Sequence, residues 1–465
     1  MKTIFRNRVF VAIVISILFS CSKDEVKKND GSLPMVTINT NGQTIVNTPK
    51  INANYVITSS GSTVNSGIIG IEYRGSTSYR LFPKKSYAIE TRDATGANLT
   101  TSLLGLPGEN DWALIAPYDD KTLMRNVISY ELSNQIGMYA PRTKFVEVTL
   151  NGEYLGVYVL TEKIKHDKNR VAVSKLLGTD TDPAVISGGY ILKIDKTAGD
   201  NTLDDWSADA IYTQDICFRS NYDVTGALLN TTPFQSKTGP ETYFLYSYPK
   251  PEDINDSEKN YIQQYMHDFE TALANEDFST STRAYEDYID VNSFVDYFIL
   301  CELTHNADAY RLSTFMNKDR NGKLKMGPIW DMNLCYGEDG DSYRNSPTTW
   351  IYQYNTYIPN DLWLVPFWWT KLMQDPSFKS KVKTRWTALR TSALSKTNIY
   401  GVIDTQISIL TSSGAKDRNF QKWQILGVQV PFNGYVGQTY DDEIKYMKDW
   451  IDLRLTWLDE QVSSF

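Results

Sequence analysis

Two aspartates, Asp308 and Asp331, stand 23 residues apart. They flank two arms, residues 312–317 and 323–330, that alternate in polarity around Asn321-Gly322. Asn-Gly between such arms is a hairpin signal, because both residues tolerate positive φ. A hairpin brings its ends together, so the two carboxylates can meet. One carboxylate to accept a hydroxyl proton and another to hold Mg2+ on nucleotide phosphates are parts of a phosphoryl-transfer centre. Trp330-Asp331-Met332-Asn333 adds an amide two residues on. Strand alternation would put Asp331 and Asn333 on one side, and carboxylate plus amide oxygen suits a hard divalent cation. The other reading of Asp331 is a turn cap after the strand.

Three further segments offer a phosphate-binding half. Arg74-Gly75-Ser76-Thr77-Ser78 precedes Phe82-Pro83-Lys84-Lys85. Glycine and small hydroxyl residues let backbone amides approach phosphate, and a lysine on the next strand neutralises it. A surface hairpin with a basic edge reads the same way, and RGSTS is not a Walker loop. Arg125 and Asn126 interrupt a helix of apolar rhythm, as a structural ion pair or as phosphate-facing groups. Glu162, in Leu160-Thr161-Glu162-Lys163-Ile164, either orients a lysine or marks an exposed strand end. The aromatic stretch 350–369 reads as core before it reads as a stacking platform for sugars or peptides.

The elements that must hold these groups follow from periodicity. Strands are expected within 34–93, at 110–117 and at 188–193, with a second hairpin over 145–161 around Asn151-Gly152. Helices are expected over 121–136, capped by Asp120, and over 252–276 and 291–304. From 366 the chain reads as helical, ending in an amphipathic helix over 440–461. The order is α+β: a β-rich N-terminal half and a mainly helical C-terminal half, one two-lobed unit over 34–465.

The 465 residues, 41% hydrophobic, suffice for a large core, and a net charge of −8 argues against nucleic acid as a partner. Three histidines without an HExxH or CxxC pattern argue against a zinc enzyme. Cys217, Cys301 and Cys335 show no disulfide spacing, and Cys301 and Cys335 read as buried thiols. Arg6, Arg8 and the short apolar run 9–19 form a signal peptide over 1–20. Leu18-Phe19-Ser20-Cys21 resembles a lipobox, with Cys21 lipidated. Ser22-Lys23-Asp24-Glu25 resembles the export signal of Bacteroidetes surface lipoproteins. Residues 21–33 then form a flexible tether, and the expected location is the cell envelope, at the outer membrane or cell surface. An ordinary secreted protein is the plainer alternative.

Taken in order, RGSTS…FPKKSYAIE, LLGLPGENDWALIAPYDDKTLMRN, VEVTLNGEYLGVYVLTEKI, GGYILKID and ELTHNADAYRLSTFMNKDRNGKLKMGPIWDMN resemble the CotH kinase family. WTKLMQDPSFKSKVKTRW extends the likeness toward the C-terminus. The resemblance implies an atypical protein-kinase-like fold that binds ATP with Mg2+ or Mn2+ and phosphorylates Ser or Thr of a protein. It implies Asp308 as general base and Asp331, with Asn333, as metal ligands. It implies Lys84 or Lys85 as the phosphate lysine, with Arg74, Arg125 and Glu162 in support. Three positions depart from the family pattern. Ser313 stands where an asparagine is common, WDMN replaces WDFD, and RGST replaces RGNS. These departures keep open a second reading, a catalytically inactive surface lipoprotein of the same fold that binds a glycan or peptide.

Overall fold

The computed structural model describes residues 31–197, 206–229 and 237–465. The expected signal peptide 1–20, Cys21 and most of the tether 21–33 lie outside the described residues. The first half runs β1 (Met35–Asn39), β2 (Ile51–Ser59), β3 (Ser62–Arg74), α1 (Thr77–Leu81), β4 (Ser86–Arg92), β5 (Asp111–Ile115), α2 (Arg125–Gln135), β6 (Thr143–Leu150) and β7 (Glu153–Glu162). The strands close into a barrel in the order β1-β2-β3-β4-β5-β7-β6. Closure is a parallel pairing of β1 with β6, from Met35 opposite Glu147 to Ile38 opposite Leu150. Alternate residues such as Ile71, Ile89, Trp112 and Leu160 fill the interior.

The β6–β7 hairpin turns where expected. Asn151 and Gly152 both take positive φ, 51° and 85°, the geometry of a turn whose twist matches its strands. The expected helix over 121–136 starts later, at Arg125. Leu123 is left-handed, with φ 65°, which no right-handed helix continues through. Asp120 still caps this end, accepting from the backbone N–H of Thr122 and of Arg125.

A second, five-stranded sheet in the order β12-β11-β8-β10-β9 uses β8 (Tyr190–Ile194), β9 (Cys217–Asp223), β10 (Glu241–Tyr248), β11 (Thr314–Lys318) and β12 (Lys325–Met326). Between its strands run α3 (Asp256–Ala274), which starts on an Asn255–Glu258 capping box, and α4 (Val291–Thr304). The β11–β12 hairpin is looser than expected. Its turn spans residues 319–322, closed by Gly322 N–H to Asp319 O, and only Asn321 of the Asn-Gly pair has positive φ. The second arm leaves the sheet after Met326.

The C-terminal half is helical: α5 (Tyr354–Tyr357), α6 (Trp368–Leu372), α7 (Pro376–Arg390), α8 (Lys396–Ser412), α9 (Ala415–Lys422) and α10 (Tyr440–Ser463). The aromatic stretch is core, as its composition suggested. Tyr354, Trp368 and Trp369 are fully buried, while Tyr357 is 52% exposed. Cys217, Cys301 and Cys335 are free and buried. The fold is thus α+β, with a β-rich N-terminal half and a helical C-terminal half.

Candidate active site

Arg74 ends β3 opposite Ser86, the first residue of β4. Ile69 and Ile71 enter the barrel core, so alternation sends Glu72 and Arg74 to the outer face. There Glu72, Ala88, Ala113 and Thr161 form one cross-strand row. The N-terminal part of α2 and the segment after β12 face this end of the barrel. Arg74, Ser86, Asp119, Asn126, Asp331 and Asn333 line the narrow cleft between them, about 60 Å3 in volume.

Asp331 does not sit on a strand. It is left-handed, with φ 58°, a conformation uncommon for most residues with a Cβ but one that Asp tolerates. Neighbours hold it there. Its N–H donates to Tyr130 Oη (3.1 Å), and its carbonyl accepts from Asn306 Nδ2 (3.2 Å). The Met332 N–H donates to Asn126 Oδ1 (2.8 Å). Tyr130 also stacks on Trp330 at 6.0 Å. Asn333 reaches the same cleft as Asp331, through this pinned turn rather than through strand alternation. Its Nδ2 donates to Asp119 Oδ2 at 2.6 Å. That bond orients the amide and leaves Oδ1 without a donor among the described residues.

The charges in the cleft oppose one another. Asp331 is open to solvent in the cleft but crowded by protein. The crowding, and then Asp308 as the leading charge, push its pKa up to about 7, against the pull of Arg74. Burial and the adjacent Asp120 push Asp119 up to about 6, while the Asn333 bond favours its ionised form. Burial lowers the pKa of Arg74, and Asp331 is the first of the charges acting against that. The Arg74 guanidinium lies over the Trp330 ring at 5.1 Å. One of its terminal nitrogens is buried with no hydrogen-bond partner among the described residues.

Asp308 is partly exposed, and its Oδ1 accepts from Arg311 at 2.9 Å. Asp195 also acts on Asp331 and Arg74. Its carboxylate accepts the backbone N–H of Ser313 (3.3 Å), which ties the end of β8 to the start of the hairpin.

The remaining expected site residues lie elsewhere. Lys84 is buried, and its ammonium donates to Val157 O (2.6 Å) and Asn419 Oδ1 (2.9 Å), away from the cleft. Lys85 donates to the Tyr79 carbonyl and covers the Tyr79 ring at 4.6 Å. Arg125 is fully buried between Asp120 Oδ1 (2.6 Å) and Glu338 Oε2 (2.7 Å), and it also donates to Cys335 O (3.0 Å). Of its two readings, these contacts are those of the structural ion pair. Glu162 is bonded to no lysine among the described residues. It accepts from Arg142 (2.8 Å) and from Tyr139 Oη (3.1 Å). Asp119, Tyr130 and Asp195 were not singled out from sequence. The doubled Asp119-Asp120 was a signal for the first, since one aspartate is enough for a cap.

The donor set fits a divalent metal of the Mg2+ type. Asp331, Asp119 and the free Asn333 oxygen are all hard oxygen donors in one cleft. Among the described residues no group of three or more His, Cys, Asp or Glu side chains could hold a metal ion by itself. Mg2+ typically takes one or two carboxylates and completes its shell with water and substrate phosphates.

A family model described as CotH kinase protein matches residues 71–458. The inner spore coat protein H of Bacillus subtilis (strain 168) is 34% identical over 108 residues, covering 23% of this chain and 26% of that protein. The match thus spans about a quarter of that relative's length.

Proposed function

The chain belongs to the CotH kinase family, and we propose that it transfers the γ-phosphoryl group of ATP to a Ser or Thr hydroxyl of a protein. The observation that carries this reading is the buried guanidinium nitrogen of Arg74 that has no hydrogen-bond partner among the described residues, in a cleft it shares with Asp331. A buried cation donor without an acceptor calls for an anion. A carboxylate in the same cleft calls for a metal to accompany that anion.

In this reading Arg74 binds phosphate oxygens, and Asp331, Asp119 and Asn333 hold Mg2+ or Mn2+. The metal, when bound, screens phosphate charge. Asp308 accepts the proton of the acceptor hydroxyl. The acceptor oxygen forms a bond to the γ-phosphorus, and the bond from that phosphorus to the β–γ bridging oxygen breaks. ADP leaves with the electron pair. The chain's contribution is positioning and charge.

Calorimetry with ATP and Mg2+ or Mn2+ tests the reading. Binding is expected to need metal and to be lost in Asp331→Ala, and metal-independent or absent binding overturns it. With binding established, undiminished transfer in Asp308→Ala removes that residue as the base. The engagement of Lys84 and Lys85 outside the cleft favours a second reading, a kinase-like scaffold that binds a glycan or peptide without transfer. Residues 6–25 support extending the proposal to a lipid anchor at Cys21 in the cell envelope. Palmitate labelling that is equal in wild type and Cys21→Ala overturns that extension.

A further inference from the structure

Arg311 is 4% exposed, yet each of its side-chain nitrogens has a partner. Its Nε donates to Ala307 O (3.1 Å), and one terminal nitrogen donates to Asp308 Oδ1 (2.9 Å). The other reaches Trp363 O (3.2 Å) and Asp361 Oδ2 (3.4 Å). The guanidinium plane also covers the Tyr354 ring at 4.2 Å. Asp361 is fixed in turn, because its carboxylate accepts from Tyr354 Oη and from the Trp363 N–H.

The backbone around the pair is as constrained. The N–H groups of Arg311 and Leu312 both donate to the Asp308 carbonyl, and Tyr310 and Ser313 are left-handed at φ 70° and 47°. Arg311 therefore joins a tight turn to the 354–363 segment of the helical half. It occupies one oxygen of Asp308, and the other accepts no hydrogen bond among the described residues. A planar fork of five donors can hold both segments at once, which a single ammonium cannot match in direction.

We propose that Arg311 is the positioning residue of the acceptor site, holding Asp308 so that its second carboxylate oxygen faces the incoming hydroxyl, with Asp361 locking Arg311 in place. The inference rests on Asp308 being the base of the proposed transfer. The protein engages every side-chain nitrogen of Arg311, so in this role its loss appears in kcat and leaves nucleotide binding alone.

The test is transfer of 32P from γ-labelled ATP with Mn2+ to dephosphorylated casein, comparing wild type with Arg311→Ala, Arg311→Lys, Asp361→Asn and Asp308→Asn. Arg311→Ala is expected to lower kcat about 100-fold, within the range of general-base effects, with the ATP KM unchanged. Arg311→Lys is expected to recover roughly a tenth of wild-type kcat, since a point charge cannot span the two segments. Asp361→Asn is expected to fall between, which keeps the test open if Arg311→Ala does not fold. The double variant Arg311→Ala/Asp308→Asn should lose no more than Asp308→Asn, the signature of residues acting as one unit. Unchanged kcat in both Arg311→Ala and Asp361→Asn, or additive losses in the double variant, overturns the role of Arg311 while leaving the kinase reading standing. A wild type that binds Mn2+–ATP but transfers nothing overturns both.

Discussion

Arg74 and Glu270 show two ways for a chain to carry a buried charge. Arg74 keeps a guanidinium nitrogen without an acceptor beside Asp331, a state that a bound anion relieves. Among the described residues Glu270 has no cation partner. Its carboxyl accepts from Ser220 Oγ (2.7 Å) and Trp368 Nε1 (2.9 Å), and burial pushes its pKa up to about 7. The folded value thus lies above the unfolded one near 4.5. The folded chain holds the proton between the two values, so stability is full below the unfolded value and falls as pH rises through the folded one. Glu270→Gln keeps the shape of the neutral acid and removes the titration. It should match wild type in urea unfolding at pH 4 and exceed it at pH 8 by up to about 3 kcal/mol. Equal pH dependence in the two proteins would contradict this.

At the scale of elements, the site depends on how α2 is bolted to the segment after β12. Arg125 does this from the first turn of α2, through Asp120, Glu338 and the Cys335 carbonyl, and Asn126 adds the bond to Met332. Arg125→Met should lower the unfolding free energy by about 3–5 kcal/mol, the cost of leaving buried carboxylates unpaired. A loss no larger than a surface substitution causes, read by urea unfolding, counts against the bolt. Local elements were legible in the sequence because their signals are local. Asn151-Gly152 dictates its turn, and helix α4 begins and ends at the expected residues. The start of α2 was displaced by one left-handed residue, Leu123, which no periodicity reveals. Asp331 was found for its chemistry, although the strand that would have aimed it is a pinned turn. Asp119, in the cleft, and Asp195, which acts on Asp331 and Arg74, are each held by a partner more than a hundred residues away, Asn333 and Ser313, and such pairings leave no mark in spacing.

At the scale of the molecule, the helical half grips the barrel through α9. Asn419 accepts from the Lys84 ammonium and from the Val157 N–H, and Arg418 pairs with Glu147 at 2.6 Å. Gly156 allows the approach, with φ 89° and no room for a Cβ, which would lie 2.5 Å from Asn419 Oδ1. Lys84 is therefore a strut between the halves. Lys84→Met should cost about 1–3 kcal/mol by stranding its buried acceptors and leave ATP affinity unchanged. A large drop in affinity with unchanged stability would return Lys84 to a phosphate-binding role. The α+β order was legible because composition changes along the chain. Barrel closure was not, since β1 and β6 meet across more than a hundred residues. That closure also sets a sequence of events. The first strand of the barrel cannot find its last neighbour until residues 143–150 exist, so a chain emerging N-terminus first keeps the free edge of β1 unpaired through that whole interval. Non-local pairing of this kind is slow and leaves a strand edge open to other chains, which gives a chaperone a reason to hold β1.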